Sequence, residues 1–103
     1  GVFLEEKDVS RAIQHHKIAA EGGLVEAMSN LGGHMITSGF TTNDIKKKVE
    51  GLMWLKVSAK LGNAGAQSNL EILDSYVDGY EDTLSTGLAD KCISADFKDC
   101  FWR

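Results

Sequence analysis

The chain has 103 residues, of which 43% are hydrophobic and 25% are charged. These values are typical of one small globular domain, which we place at residues 1–103. The formal net charge of −4 argues against nucleic acid as a partner, because a protein that binds phosphates needs a basic surface. No apolar run approaches the ~18 residues of a membrane span, so no span is expected.

Glycines rather than prolines punctuate the chain, which contains eleven glycines and no proline. Between them, apolar residues recur at helical spacing and predict an all-α fold. In chain order, the predicted helices cover 10–20, 26–36, a segment from Asn43 or Asp44 to about Gly62, 64–77, and a segment that begins near Tyr80. Asn43 or Asp44 is the expected N-cap of the third helix. The basic run Lys46–Lys48 is expected to be a solvated start of that helix.

The last two predicted helices are each defined by one apolar face. In the fourth helix, the face consists of Ala66, Leu70, Leu73 and Val77. In the fifth, it consists of Leu84, Leu88, Cys92 and Phe97. An array of stacked helices needs a sealed end, so we expect 80–103 to form a C-terminal capping helix and a cysteine-containing tail.

Two segments of the chain are nearly the same. Lys17–Leu31 (KIAAEGGLVEAMSNL) and Lys56–Leu70 (KVSAKLGNAGAQSNL) are identical at seven of fifteen positions, and the offset between them is 39 residues. A fixed offset of this size indicates an array of units, each a helix, a glycine turn and a second helix. The repeat region is predicted to span 8–77. Small residues beside the turns, namely Ala20, Ala27, Ala59 and Ala66, allow antiparallel helices to approach closely.

The sequences AIQHHKIAAEGGLVEAMSNLG (Ala12–Gly32) and GLMWLKVSAKLGNAGAQSNLE (Gly51–Glu71) resemble the Sel1-like repeat, a family related to the tetratricopeptide repeat. The matching residues of the first copy are Ala12, Lys17, Ala19, Ala20, Gly23, Ala27, Asn30, Leu31 and Gly32. Those of the second copy are Trp54, Lys56, Ala59, Gly62, Ala66, Gln67, Asn69 and Leu70. The departures are His15-His16, Gly51 and Glu71, which stand where the family prefers Trp-Tyr, alanine and glycine.

The resemblance implies a short α-solenoid of antiparallel helix pairs. It also implies a non-catalytic protein–protein interaction module, such as an adaptor or an inhibitor or immunity-type binder. The partner would be another protein or a peptide, bound on a concave face lined by the second and fourth helices. The expected binding positions are Glu26, Ser29, Asn30, Gly33, Thr37, Gln67, Ser68, Ile72 and Tyr76. Asn30 and Asn69 have the alternative role of tying helix ends together. No catalytic residue, cofactor or metal is expected.

Two other functions stay open. One is binding of a small ligand, or catalysis, in a pocket near Trp54, His15 or His16. The other is a structural or oligomerising element, whose exposed ends form a homodimer. Adjacent histidines point about 100° apart on a helix and do not easily share a metal, so His15 and His16 are expected to pack or to lie on the surface. His34 is expected to be structural. The chain has neither a phosphate-binding Gly-x-x-x-x-Gly-Lys-Ser/Thr loop nor a Gly-x-Ser-x-Gly elbow.

Cys92 and Cys100 are the two cysteines of the chain. In one unbroken helix they would lie about 12 Å apart along the axis, whereas a disulfide needs Cα atoms within about 7 Å. A bridge therefore requires the helix to end between them, around 96–99. Two unpaired buried thiols are the main alternative, while the spacing disfavours a zinc site and does not support a catalytic cysteine. The stretch KCISADFKDC resembles the tail of some exported Sel1-like proteins, which implies a periplasmic or secreted location. Free thiols would indicate the cytoplasm.

Overall fold

The computed structural model of the chain describes the backbone of residues 6–102 and the side chains of residues 10–102. In chain order, the helices are α1 (Glu6–Glu21), α2 (Val25–Thr42), α3 (Ile45–Lys60), α4 (Ala64–Leu73) and α5 (Gly79–Ser94), with a 3₁₀ turn at Asp74–Tyr76. Residues 6–102 contain no β-strand, so the predicted all-α class is confirmed. Within this range, no helix is both long enough and apolar enough to cross a bilayer.

Short-range hydrogen bonds define the helix starts. The carboxylate of Asp44 caps α3 by accepting a hydrogen bond from the backbone nitrogen of Lys47 at 3.2 Å. Asn43 adopts the left-handed conformation that ends α2, so the two residues proposed for this boundary share it. At the start of α5, Asp78 and Glu81 form a capping box, in which each side chain accepts from the backbone of the other residue.

Three helix boundaries differ clearly from those predicted. Helix α1 begins at Glu6 instead of at 10. Helix α2 runs on to Thr42 instead of ending at 36, and the threonine hydroxyls of its last turns donate to carbonyl oxygens four residues earlier, so this polar stretch is helical although apolar spacing does not mark it. Helix α4 ends at Leu73, and a 3₁₀ turn replaces the predicted continuation to Val77. Leu73 and Val77 nevertheless pack against the same cluster, so the predicted apolar face is preserved across the change in backbone.

Helix α3 is the central helix, since it packs against α2, α4 and α5. Its buried residues are Val49, Gly51, Leu52, Met53, Trp54, Leu55, Val57 and Ser58. These residues cover most sides of the helix, as expected for a helix that packs against three others. The buried hydroxyl of Ser58 donates to the carbonyl oxygen of Val25 at 3.1 Å, which satisfies the one polar side chain among these buried residues.

Three lysines of α3 form ion pairs with acidic residues of α5. The pairs are Lys48 with Glu81, Lys56 with Asp82, and Lys60 with Asp90. Because the order of the pairs is the same along both helices, α3 and α5 run in the same direction. The expectation that the whole run Lys46–Lys48 is solvated is therefore wrong for Lys48, whose ammonium lies 3.2 Å from a buried carboxylate.

Helices α2 and α3 approach each other through glycines on both sides. A β-carbon at Gly51 would lie 2.8 Å from the backbone nitrogen of Ile36 and 2.9 Å from the carbonyl oxygen of Gly32. A β-carbon at Gly32 would lie 2.8 Å from the carbonyl oxygen of Gly51. These distances are shorter than real β-carbons tolerate. The departure from the repeat pattern at Gly51 thus has a packing reason, because an alanine would force the helices apart.

Two apolar clusters flank the contact between α2 and α3. The first joins α1, α2, α3, α5 and the tail, and it includes Met28, Leu31, Met53, Trp54 and Cys92. The second lies between α2, α3 and α4, and it consists of Ile36, Leu52, Leu55 and Ala66, with Ala59, Leu70, Leu73 and Val77 packed against it. The predicted packing face of the fourth helix is thereby confirmed.

Cys92 and Cys100 form a disulfide, with Cα atoms 4.5 Å apart. Helix α5 ends at Ser94, and Asp96 and Phe97 then take left-handed backbone angles, so the chain reverses as a bridge requires. Phe97 lies in this turn rather than on the helix, and its side chain packs against the first cluster. Both cysteines are buried. The bridge therefore fixes the tail against the first cluster.

The disulfide is expected to stabilise the fold. Closing a loop of this length contributes about 2–3 kcal/mol on the chain-entropy model. The double variant Cys92→Ala/Cys100→Ala should therefore lose about that amount of unfolding free energy, as measured by urea denaturation followed by circular dichroism. An unchanged midpoint and slope would show that native packing alone fixes the tail.

Replacing Gly51 by alanine tests the close approach of α2 and α3. The new β-carbon would meet backbone atoms of α2, so we expect a loss of about 1–3 kcal/mol in the free energy of unfolding. Gly87→Ala on α5 is the matched control, because no atom lies within 4 Å of the position that a β-carbon would take. Alanine there should add about 0.5–1 kcal/mol. If urea denaturation showed equal effects for both variants, the proposed role of Gly51 would be wrong.

Candidate functional site

The predicted binding positions all lie outside the core. On α2, Glu26, Asn30 and Thr37 are exposed, while Ser29 and Gly33 are partly buried. On α4 and the 3₁₀ turn, Gln67, Ser68, Ile72 and Tyr76 are exposed. Two of these side chains donate hydrogen bonds to backbone oxygens: Thr37 donates to the carbonyl oxygen of Gly33 at 2.9 Å, and Gln67 donates to that of Ala59 at 3.1 Å. Their joint role as a binding face stays a prediction.

Asn30 and Asn69 do not tie helix ends together. Both side chains are exposed, and neither makes a hydrogen bond with a described residue. The capping role in the second repeat belongs to Asn63, whose side-chain oxygen accepts from the backbone nitrogen of Ala66 at 2.8 Å. Leu24 stands at the equivalent position of the first repeat and provides no side-chain cap, so the two turns differ chemically although both contain a glycine with positive φ.

An open cleft of about 350 Å³ lies between α3, α4 and the start of α5, and we call it the α3–α4–α5 cleft. Its aliphatic floor consists of Leu52, Leu70, Leu73 and Val77. Its polar rim consists of Lys56, Asp74, Asp78 and Asp82. The cleft exists because α4 and α5 each pack on α3, and the connection between them is short and partly non-helical.

Lys56 is held inside the rim by oxygen atoms of α5. Its ammonium donates to the side-chain oxygen of Asp82 at 2.7 Å and to the backbone oxygen of that residue at 2.9 Å. It also lies 2.8 Å from the hydroxyl oxygens of Ser85 and Thr86. Three donors shared among four acceptors satisfy this ammonium fully. Lys56 therefore fastens α3 to α5.

The other two rim carboxylates have no cationic partner among the described residues. Asp74 is exposed and makes no hydrogen bond or ion pair there, and Asp78 accepts only the N-cap hydrogen bond from Glu81. The N-terminus of a helix attracts anions, but the first turn of α5 already carries Asp78, Glu81 and Asp82. The rim is therefore electrostatically negative, with an aliphatic floor beneath it.

Large apolar side chains are exposed in the chain segment that forms this cleft. The exposed fractions are 65% for Ile72, 67% for Tyr76 and 59% for Tyr80. Ile72 and Tyr76 are among the binding positions predicted from the sequence, whereas Tyr80 and the rim carboxylates are not. A local signal was present in DSYVDGY (Asp74–Tyr80), where Asp-x-Tyr occurs twice between two helices.

The residues proposed for a small-ligand pocket lie elsewhere. Trp54 is 1% exposed and belongs to the first cluster, so its ring does not line an open site. His15 is exposed, whereas the ring of His16 stacks on that of His34, with centroids 5.3 Å apart. His16 and His34 therefore pack α1 on α2, as the expected structural roles require. Within residues 10–102, no three His, Cys, Asp or Glu side chains are grouped as a metal site would need.

Burial lowers the pKa of His34 below 6.5, and the nearby His16 lowers it further. The neutral ring is thus favoured in the folded state, while the unfolded chain takes up its proton at the ordinary pKa. As the pH falls from 6.5 towards the lowered pKa, the unfolded state binds more protons than the folded state. The contribution of His34 to the free energy of unfolding therefore decreases on acidification.

We expect the urea midpoint to fall between pH 7.5 and pH 5.5, and His34→Gln to reduce this fall. The exposed His15 provides the matched control, because His15→Gln removes a histidine that does not pack against His34. Urea titrations at pH 7.5, 6.5 and 5.5 measure the effect. An equal fall in wild type and His34→Gln would assign the pH dependence to other groups.

The chain matches no protein-family model, no curated protein and no solved structure. No family is thus identified by these comparisons, and the geometry of the α3–α4–α5 cleft is the main structural basis for a functional proposal.

Proposed function

We propose that the chain is a non-catalytic protein-binding module, built as a short Sel1-like solenoid of antiparallel helix pairs with α5 as its C-terminal cap. One observation carries the proposal: Ile72, Tyr76 and Tyr80 are exposed in the segment that forms an open, aliphatic-floored cleft. Tyrosines and apolar side chains next to pockets are typical anchors of protein interfaces.

The rigidity of the surrounding helices supports this function. Helices α4 and α5 both pack on the buried helix α3, and Lys56 fastens the start of α5 with hydrogen bonds. A surface that is ordered before binding loses little conformational entropy on association. Exposed side chains on such a scaffold can therefore contribute most of their contact energy to binding.

The α4 part of the predicted concave face belongs to the chain segment that also lines the cleft. Ile72 and Tyr76 belong to the predicted face, and their chain neighbours Leu73 and Val77 line the cleft floor. In the proposed solenoid, the α2 positions Glu26, Asn30 and Thr37 extend the same face. The partner is a protein or peptide that covers the α4 part first.

The buried disulfide supports an oxidising location for the proposed module. Disulfides persist in secreted and periplasmic proteins and are rare in the cytoplasm. A buried Cys92–Cys100 bridge is consistent with a periplasmic or secreted binder, of which an inhibitor or immunity-type protein is one kind.

The test compares two exposed isoleucines on different helices. Ile72→Ser and Tyr76→Ala remove exposed side chains from the chain segment that forms the cleft, and Ile18→Ser on α1 is the control, since Ile18 is 74% exposed. A partner is first captured from the native source and purified, and its affinity is then measured by calorimetry. We expect Ile72→Ser and Tyr76→Ala each to weaken binding by about tenfold, and Ile18→Ser by less than twofold.

Unfolding midpoints of the three variants should stay near that of the wild type, because all three side chains are exposed. Equal weakening by Ile18→Ser and Ile72→Ser would contradict the assignment of the interface. A mass that rises with protein concentration and that Ile72→Ser returns to the monomer value would instead identify an oligomerising element.

A further inference from the structure

We infer that the α3–α4–α5 cleft receives an aliphatic side chain of the partner that is flanked by lysine or arginine residues. The inference rests on the proposed function and specifies the chemistry of the segment that is bound. It is carried by three features of the cleft, namely its floor, its unpaired carboxylates and the satisfied state of its lysine.

The floor selects an aliphatic group. Leu52, Leu70, Leu73 and Val77 line it, and none of these side chains can donate or accept a hydrogen bond. A volume of about 350 Å³ is at the lower end of the range for ligand pockets, about 300–1,000 Å³. The cleft therefore suits one or two side chains of a partner better than a large cofactor.

The rim selects positive charge. Asp74 and Asp78 have no cationic partner among the described residues, and a lysine or arginine beside the inserted side chain would supply one. An acidic segment would be repelled by both carboxylates. The helix dipole of α5 does not reverse this preference, because the capping box of Asp78 and Glu81 already occupies backbone donors of its first turn.

Lys56 does not neutralise the two unpaired carboxylates. Its ammonium is bound to Asp82, Ser85 and Thr86 of α5, and its side chain is 15% exposed. Moving it towards Asp74 would leave those oxygens without their donor. The negative charges of Asp74 and Asp78 therefore stay uncompensated while the cleft is unoccupied.

Aromatic rings follow both carboxylates in the chain. Tyr76 comes two residues after Asp74, Tyr80 comes two residues after Asp78, and both are exposed. Neither ring lines the cleft, so a flanking lysine or arginine that reached one of them would do so outside the cleft, where a cation near an aromatic face is attracted by the ring quadrupole.

The test uses three acetylated and amidated pentapeptides as probes, Ser-Lys-Leu-Lys-Ser, Ser-Glu-Leu-Glu-Ser and Ser-Lys-Ser-Lys-Ser. Each is titrated into the full ¹⁵N-labelled chain, and amide shifts are followed by NMR. We expect Ser-Lys-Leu-Lys-Ser to shift amides of the cleft, including those of Leu73, Val77 and Gly79. Its apparent affinity should exceed that of the other two peptides by about fivefold or more, and added salt should weaken it.

Asp74→Asn and Asp78→Asn remove the rim charges while keeping side-chain shape, and asparagine also keeps the N-cap at position 78. Each variant should bind Ser-Lys-Leu-Lys-Ser about threefold to fivefold more weakly. Asp96→Asn is the matched control, because it changes the net charge equally but lies beyond the opposite end of α5. It should leave the affinity unchanged.

Stronger binding of Ser-Glu-Leu-Glu-Ser would overturn the inferred charge preference, and equal binding of Ser-Lys-Ser-Lys-Ser would overturn the inferred aliphatic preference. No shift with any peptide at 10 mM would overturn the inference as a whole. The same shifts with spermidine alone would overturn it in favour of a site for small cations. In each of these cases the proposed function is still decided separately, by the comparison of Ile72→Ser with Ile18→Ser.

Discussion

Gly32 of α2 and Gly51 of α3 bring two helix backbones together without a side chain between them. Helix α3 lies close against α2 on one side, and its other sides pack against α4 and α5. It is therefore the central helix of the molecule. Helices α4 and α5 both pack mainly against α3 rather than against each other. The space left where they diverge is the α3–α4–α5 cleft, so the cleft is a consequence of the central packing rather than a separate feature.

The polar contacts of α3 follow the same geometry. Lys48, Lys56 and Lys60 point to α5 and pair with its carboxylates, while the apolar side chains of α3 enter the two clusters. Exposed ion pairs contribute little to stability, but Lys56 and its four acceptor oxygens also fix the position of the first turns of α5. That position sets the rim of the cleft. The hydrogen bonds of Lys56 therefore determine the shape of the candidate site, although one of them is an ordinary ion pair.

Local features of the fold could be predicted from the sequence, and features that depend on several elements could not. The glycine turns at Gly23 and Gly62 were predicted because positive φ and helical spacing are properties of neighbouring residues. The pairing of Lys48 with Glu81 depends on which helix lies opposite, and a single sequence does not state that. The cleft combines residues from three elements. Apolar spacing on one helix therefore indicated Ile72 and Tyr76, which belong to the segment that forms the cleft, but gave no sign that Asp74 and Asp78 line it.

The C-terminal tail has a bearing on the cleft although it lies at the other end of α5. The disulfide holds Cys100 in the first cluster, and the backbone nitrogen of Trp102 donates to the carboxylate of Glu50 on α3 at 3.1 Å. Helix α5 is thus fixed to α3 near its end by the tail and near its start by Lys56. A helix that is held near both ends cannot easily rotate about either attachment. The rim carboxylate at the start of α5 is therefore held over the aliphatic floor, and the cleft is already formed in the free chain.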